Sequence, residues 1–215
     1  MDTNLDLTMM LAIHDALRRN LVLVAQTADM RDDDPAPLLR ATLGWELFKK
    51  FLVVHHRSED DALWPALRAS VAGRVDALAL VDALEAEHAA IDPLLVAIDA
   101  AASDTEHGYQ RLRDIVDELH AKLDAHLRHE ESDGLPLIDV SLTAEEWKRF
   151  ASVHTERIGA DAPLYMPWLL NDATAETLRA VLGKFPPPLV NAFRDDWSPA
   201  YAALDVWLPR ELNRS

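Results

Sequence analysis

Four histidines, His14, His55, His88 and His126, recur at intervals of 41, 33 and 38 residues. Two of them carry a glutamate one helical turn later, as His55-x-x-x-Glu59 and His126-x-x-x-Glu130. Imidazole nitrogen and carboxylate oxygen together suit iron, manganese or zinc, and one carboxylate can bridge two ions. Each of the six falls on the apolar stripe of a predicted helix, where a polar group without a partner costs free energy to bury. A pair of metal ions held inside a four-helix bundle would satisfy all six at once.

The helices that must position them follow from apolar spacing. Leu7, Leu11, His14, Leu17 and Leu21 share a face of a first helix over about 5–28. The acidic run Arg31-Asp-Asp-Asp-Pro-Ala-Pro37 reads as a connection. A second helix, about 37–70, carries Phe48, Leu52, His55, Glu59 and Leu63 in register, with a break or kink expected at Pro65. A third opens at Gly73 and runs to about 102, aligning Val81, Leu84, His88, Ile91 and Leu95 around an internal Pro93. The fourth, about 104–132, aligns Ile115 or Val116, Leu119, Leu123, His126 and Glu130, and is expected to stop at Asp133-Gly134 before Pro136. At about 1.5 Å per residue, the histidine intervals fit a helix end, a short loop and an equal return, so alternating helices bring all four rings to one height.

The composition supports this reading. The 215 residues are 49% hydrophobic with only 6 Gly, which provides a core and favours helix over sheet. A formal charge of −16 repels nucleic acid and anionic lipid, so neither is an expected partner; the protein partner is left open. With no cysteine there is no disulfide, thiolate nucleophile, iron–sulfur ligand or cysteine-based zinc site. The first residues lack a basic signal-peptide segment and no apolar run nears 18 residues, so a soluble cytoplasmic protein is expected. Beyond residue 140 prolines and tryptophans gather, and 141–215 reads as a helical extension. A capping box at Thr143-Ala-Glu-Glu146 opens one of its helices, Asp172 is the expected N-cap of another, and Trp168, Phe193, Trp197 and Trp207 are the expected packing residues.

His14-Asp15, His55-His-Arg-Ser-Glu-Asp60, Glu87-His-Ala-Ala-Ile91 and His126-Leu-Arg-His-Glu-Glu131 together resemble the hemerythrin-like HHE cation-binding domains. The resemblance spans about residues 7–137, with four motifs in order at the expected spacing. It implies an all-α, up-down-up-down four-helix bundle around an oxo- or hydroxo-bridged pair of non-haem iron ions, with other divalent metals possible. It also implies a small diatomic ligand or peroxide as partner: members of the family carry oxygen, sense iron or oxygen, or act in nitric oxide response and iron–sulfur repair. One position departs from the oxygen carriers, which have His-x-x-x-His on the third helix where this chain has His88-x-x-x-Asp92. Four histidines and two glutamates are closer to the sensor and repair branches, so reversible oxygen carriage is not expected.

The expected ligands are therefore His14, His55, Glu59, His88, His126 and Glu130, with Glu131 as the alternative to Glu130 and His129 as a reserve. His56, His107, His120 and His154 are expected to be solvated or to support ligands from behind, and Asp92 to back a ligand histidine or simply to precede the Pro93 kink. A ferritin-like di-iron oxidase would need two Glu-x-x-His motifs, and Glu85-x-x-His88 is the only one. The expected function is to bind, sense or react with oxygen, peroxide or nitric oxide. The alternatives are a peroxide-decomposing di-iron enzyme and a partner-binding bundle with an incidental metal.

Overall fold

The structure, a computed structural model, describes residues 4–28, 39, 42–104 and 106–207, without the side chains of 109 and 110. The acidic connection of 31–37 and the expected start of the second helix lie outside the described residues. Every regular element among them is helical. No described helix is long and apolar enough to cross a membrane.

Helix α1 (Thr8–Ala28) begins where Asp6 accepts hydrogen bonds from the Thr8 backbone and hydroxyl. Its buried line is Met10, His14, Leu17, Leu21 and Val24, while Leu11, expected on that face, is 44% exposed. The stripe is centred toward Ala12, Ile13 and Ala16, all buried, which turns Leu11 outward. Helix α2 (Leu43–Ser58) is capped by Thr42, whose hydroxyl accepts from the Trp45 N–H. It passes through a π turn, Glu59–Leu63, into α3 (Trp64–Ser70). Helix α4 (Val75–Ser103) runs unbroken through Pro93. Helix α5 (Gly108–His129) passes through a second π turn, Glu130–Gly134, into α6 (Leu135–Ser141).

The expected stop at Gly134 is thus a wide helical turn instead. A Cβ at Gly134 would lie 3.1 Å from both Glu130 Cγ and Leu84 Cδ1, so this glycine admits close packing rather than ending the helix. Both π turns have one cause: proline two residues past the turn, Pro65 and Pro136, lacks an N–H and crowds the carbonyl four residues back. The helix responds by widening, and the N–H groups of Trp64 and Leu135 reach five residues back, to the Glu59 and Glu130 carbonyls.

Contacts between the long helices run in opposite senses along each pair. Along α1 and α5, His14 meets Glu131 and Arg18 meets Asp124. Along α2 and α4, Trp45 donates to Asp99 and His56 meets Asp92. Between α4 and α5, His88 meets His126 and Leu84 lies against Gly134.

Helices α7 (Ala144–Ile158), α8 (Ala162–Leu170) and α9 (Ala175–Leu182) lie against this bundle, and α10 (Pro187–Ala192) and α11 (Ser198–Ala202) join through a third π turn, Phe193–Trp197, that packs on α8. The Thr143 capping box forms as expected. Helix α9, however, is capped by Thr174; Asp172, the expected cap, has φ +54 and lies two residues upstream. Tyr165 packs edge-on and Trp168 at a tilt against Phe51, and Arg19 donates to the Leu169 and Asn171 carbonyls. Phe193 is buried, Trp197 and Trp207 are partly buried against the core, and the Trp207 ring occupies the space a Cβ at Gly44 would need.

Candidate metal centre

Each long helix carries its polar residues between apolar ones at a single level. One apolar cluster holds Leu17, Leu52, Ile91 and Leu123; the other holds Met10, Leu63, Leu84 and Leu135. Between them lie His14, His55, Glu59, His88, His126 and Glu130, all six expected ligands, each at most 2% exposed.

They meet in two groups, each able to hold a cation: His14, His55, Glu59 and Glu130, and His56, His88 and His126. The two glutamates of the first group also reach toward the second. Glu59 presents Oε1 to His55 Nε2 at 3.4 Å and Oε2 to His88 Nε2 at 3.5 Å. Glu130 Oε2 lies 3.3 Å from His14 Nε2 and 3.8 Å from His126 Nε2.

His56 corrects the sequence reading. It is not solvated: it is fully buried, its ring stacked 3.9 Å from that of His88. Asp92, standing where the oxygen carriers have their extra histidine, accepts from His56 Nδ1 at 3.4 Å. A fifth histidine therefore reaches the site from α2 rather than α4. His154 is also buried, at 8% exposure, with its ring 6.4 Å from that of His55. His129, the reserve ligand, points to Glu87 and is half-exposed, and His107 and His120 lie outside both groups.

The remaining acids orient three of the imidazoles. His14 Nδ1 meets Glu131 at 2.9 Å, His88 Nδ1 meets Asp60 at 2.7 Å, and His126 Nδ1 meets Glu87 at 2.8 Å. A carboxylate only accepts, so each of these Nδ1 atoms carries a hydrogen, and in the neutral ring Nε2 then turns a lone pair inward. Glu131 is therefore a support rather than the alternative to Glu130: Arg18 binds both of its oxygens while it holds His14. The sequence signal was present in the paired acids Glu59-Asp60 and Glu130-Glu131, where the first member turns in and the second orients a histidine on another helix.

This arrangement suits cations. His88 and His126 Nε2 face each other at 3.1 Å, two lone pairs that only a proton or a cation reconciles. Two nitrogens bound at right angles to one ion, each at about 2.1 Å, lie about 3 Å apart. Both oxygens of Glu59 and of Glu130, both nitrogens of His55, and Nε2 of His14 and His56 are buried with no hydrogen-bond partner.

The charges show the same need. Burial, then repulsion from Glu130, pushes Glu59 well above the usual carboxylate range. Burial pushes His55 and His56 well below the usual imidazole value. For His14 burial acts downward, but Glu130 and Glu131 outweigh it and raise it to about 9. For Glu131 burial acts upward, but His14 and Arg18 outweigh it and hold it near 2. A proton on His14 thus takes the place of positive charge that the paired glutamates call for.

A family model of the hemerythrin HHE cation binding domain matches residues 5–138. The chain belongs to that family. Its site is a cation-binding His/Glu centre in an all-α, hemerythrin-like fold. No curated protein and no solved structure matches the chain.

Proposed function

We propose that this protein holds two iron ions and uses them to bind, sense or react with oxygen, peroxide or nitric oxide. The observation that carries the proposal is Glu59, whose two oxygens address histidines of two different groups at 3.4 and 3.5 Å. His14 and His55 would serve one ion, His56, His88 and His126 the other, with Glu59 and Glu130 between them. An iron pair supplies redox chemistry and a place for a small ligand.

The chain's own residues do the rest. Glu131, Asp60, Glu87 and Asp92 hold the rings by their outer nitrogens and turn the inner ones toward the site. The two apolar clusters exclude water from both sides. The His14 and His55 side would offer two nitrogen donors and the other side three. The division into two and three histidines also returns reversible oxygen binding to the set of expected activities, because His56 replaces the histidine absent at position 92.

The test is anaerobic loading with ferrous iron, metal counting, and optical spectra after exposure to oxygen, peroxide and nitric oxide. Two ions per chain and a spectral change with one of the three ligands are expected. Fewer than two ions, or spectra indifferent to all three, would overturn the proposal. Repeated release of oxygen with ferrous iron recovered would mark a carrier, and sustained peroxide consumption an enzyme.

A further inference from the structure

Helix α7 lies outside residues 5–138, the stretch that the family model matches, yet it packs on α2 and on the π turn that opens with Glu59. Phe150, His154 and Ile158 fall one turn apart on its inner face, and all three are buried. Phe150 belongs to one apolar cluster and Ile158 to the other, so the middle of α7 crosses the polar layer. There the His154 ring stands 6.4 Å from that of His55. Arg157, beside it on the same helix, reaches the chain on both sides of Glu59. Its Nη1 donates to the Ser58 hydroxyl at 3.4 Å, and its Nη2 donates to the Asp61 carboxylate. Ser58 gives its own hydrogen to the Val54 carbonyl at 2.6 Å, one turn back.

Glu59 is the first residue of a single wide turn set in an α-helix, so its direction depends on where that turn begins. The planar guanidinium spans Ser58, the last residue of α2, and Asp61, the third of the turn, and so ties this beginning to α7. The second π turn is tied in a similar way from within the bundle, where Arg18 of α1 holds both oxygens of Glu131, next to Glu130. We infer that Arg157 is a positioning residue for the metal centre, holding Glu59 inward through its contacts with Ser58 and Asp61. This role rests on the proposed iron pair and makes the extension part of the centre. Arg157 is 31% exposed and Asp61 61%, so the effect is bounded at about fivefold in affinity, the upper value for a pair this solvated.

The test is anaerobic titration of ferrous iron into the full chain against a competing chelator, together with amide hydrogen exchange of the metal-free protein. Arg157→Ala is expected to lower iron affinity about fivefold. Electrostatics alone gives the opposite sign, because removing a positive charge near a cation site favours the cation. In the metal-free protein the Trp64 amide, which closes the turn on the Glu59 carbonyl, should exchange faster by a similar factor. Arg157→Lys, whose ammonium can still meet Asp61, should recover part of both losses. Lys50→Ala, which removes a separate ion pair between α2 and the extension, to Asp161, should change neither. Unchanged or higher iron affinity in Arg157→Ala, a loss that lysine leaves whole, or an equal loss in Lys50→Ala would each overturn the inference. Should the parent bind no iron, the iron proposal fails by itself, and Trp64 exchange alone then decides whether Arg157 holds the turn.

Discussion

Chemistry at this site is set residue by residue, and His56 is where it is most open to test. Its ring stacks on His88, and its Nδ1 faces Asp92, four residues after His88 on the same face of α4. His56→Ala is therefore expected to lower the metal count from two ions per chain to one. Adding Asp92→His to that variant should restore the second ion, because the new ring enters the space beside His88 from the other helix. If His56→Ala alone keeps two ions at undiminished affinity, the third histidine of that group is not a ligand. The six inner residues were legible in the sequence because their spacing matches the apolar stripes that bury them. His56 was not, since a residue next to His55 points about 100° away and reads as off the stripe. A helix inside a bundle has more than one neighbour, however: His55 turns toward His14 of α1, while His56 turns toward α4. Glu87 was equally hidden, because an acid at the margin of a stripe has the same pattern as a solvated one.

The elements carry a regularity that the sequence displays and that periodicity alone misreads. Glu59 and Pro65, Glu130 and Pro136, and Phe193 and Pro199 are each six residues apart, and each first member opens a π turn. Read as isolated helix breakers, Pro65 and Pro136 suggest a kink and a stop. Read with the residue six before, they mark a wide turn that begins at an inward-facing glutamate and lets the helix continue. Gly134 closes one of these turns. Gly134→Ala would gain about 1 kcal/mol of helix propensity. The added Cβ, 3.1 Å from Glu130 Cγ and Leu84 Cδ1, should offset that gain by crowding. The expected result is a metal-free melting temperature within about 2 °C of the parent, with metal affinity reduced about tenfold because Glu130 is displaced. A clear rise in stability at unchanged affinity would show that the glycine has no part in placing Glu130.

At the scale of the molecule, a polar layer divides one core into two apolar clusters, and the cost of that division falls on Glu59. Its carboxyl is fully buried, has no hydrogen-bond partner and faces a second buried carboxylate, and its folded-state value stands well above 4.5. The sign follows directly. In the metal-free protein the folded state holds this proton more tightly than the unfolded state, so stability is lost as pH rises from about 4.5 through the folded-state value. Near neutral pH an ionised Glu59 opposes folding unless a cation sits beside it. Glu59→Gln, which copies the protonated form, should therefore raise the melting temperature of the metal-free protein by at least 2–4 °C, the effect of roughly 1 kcal/mol in a chain this size. That advantage should vanish below about pH 4, where the parent carboxyl is protonated in both states. In the metal-loaded protein the order should reverse. The parent should gain stability from bound ions, which favour the folded state, and the variant, lacking the Glu59 charge, should lose most of that gain. Thermal melts of both proteins, with and without ferrous iron, at pH 4 and pH 7, separate these outcomes. If Glu59→Gln destabilises the metal-free protein, the buried carboxylate is held by the fold itself, and its place between two groups of histidines has another origin than metal.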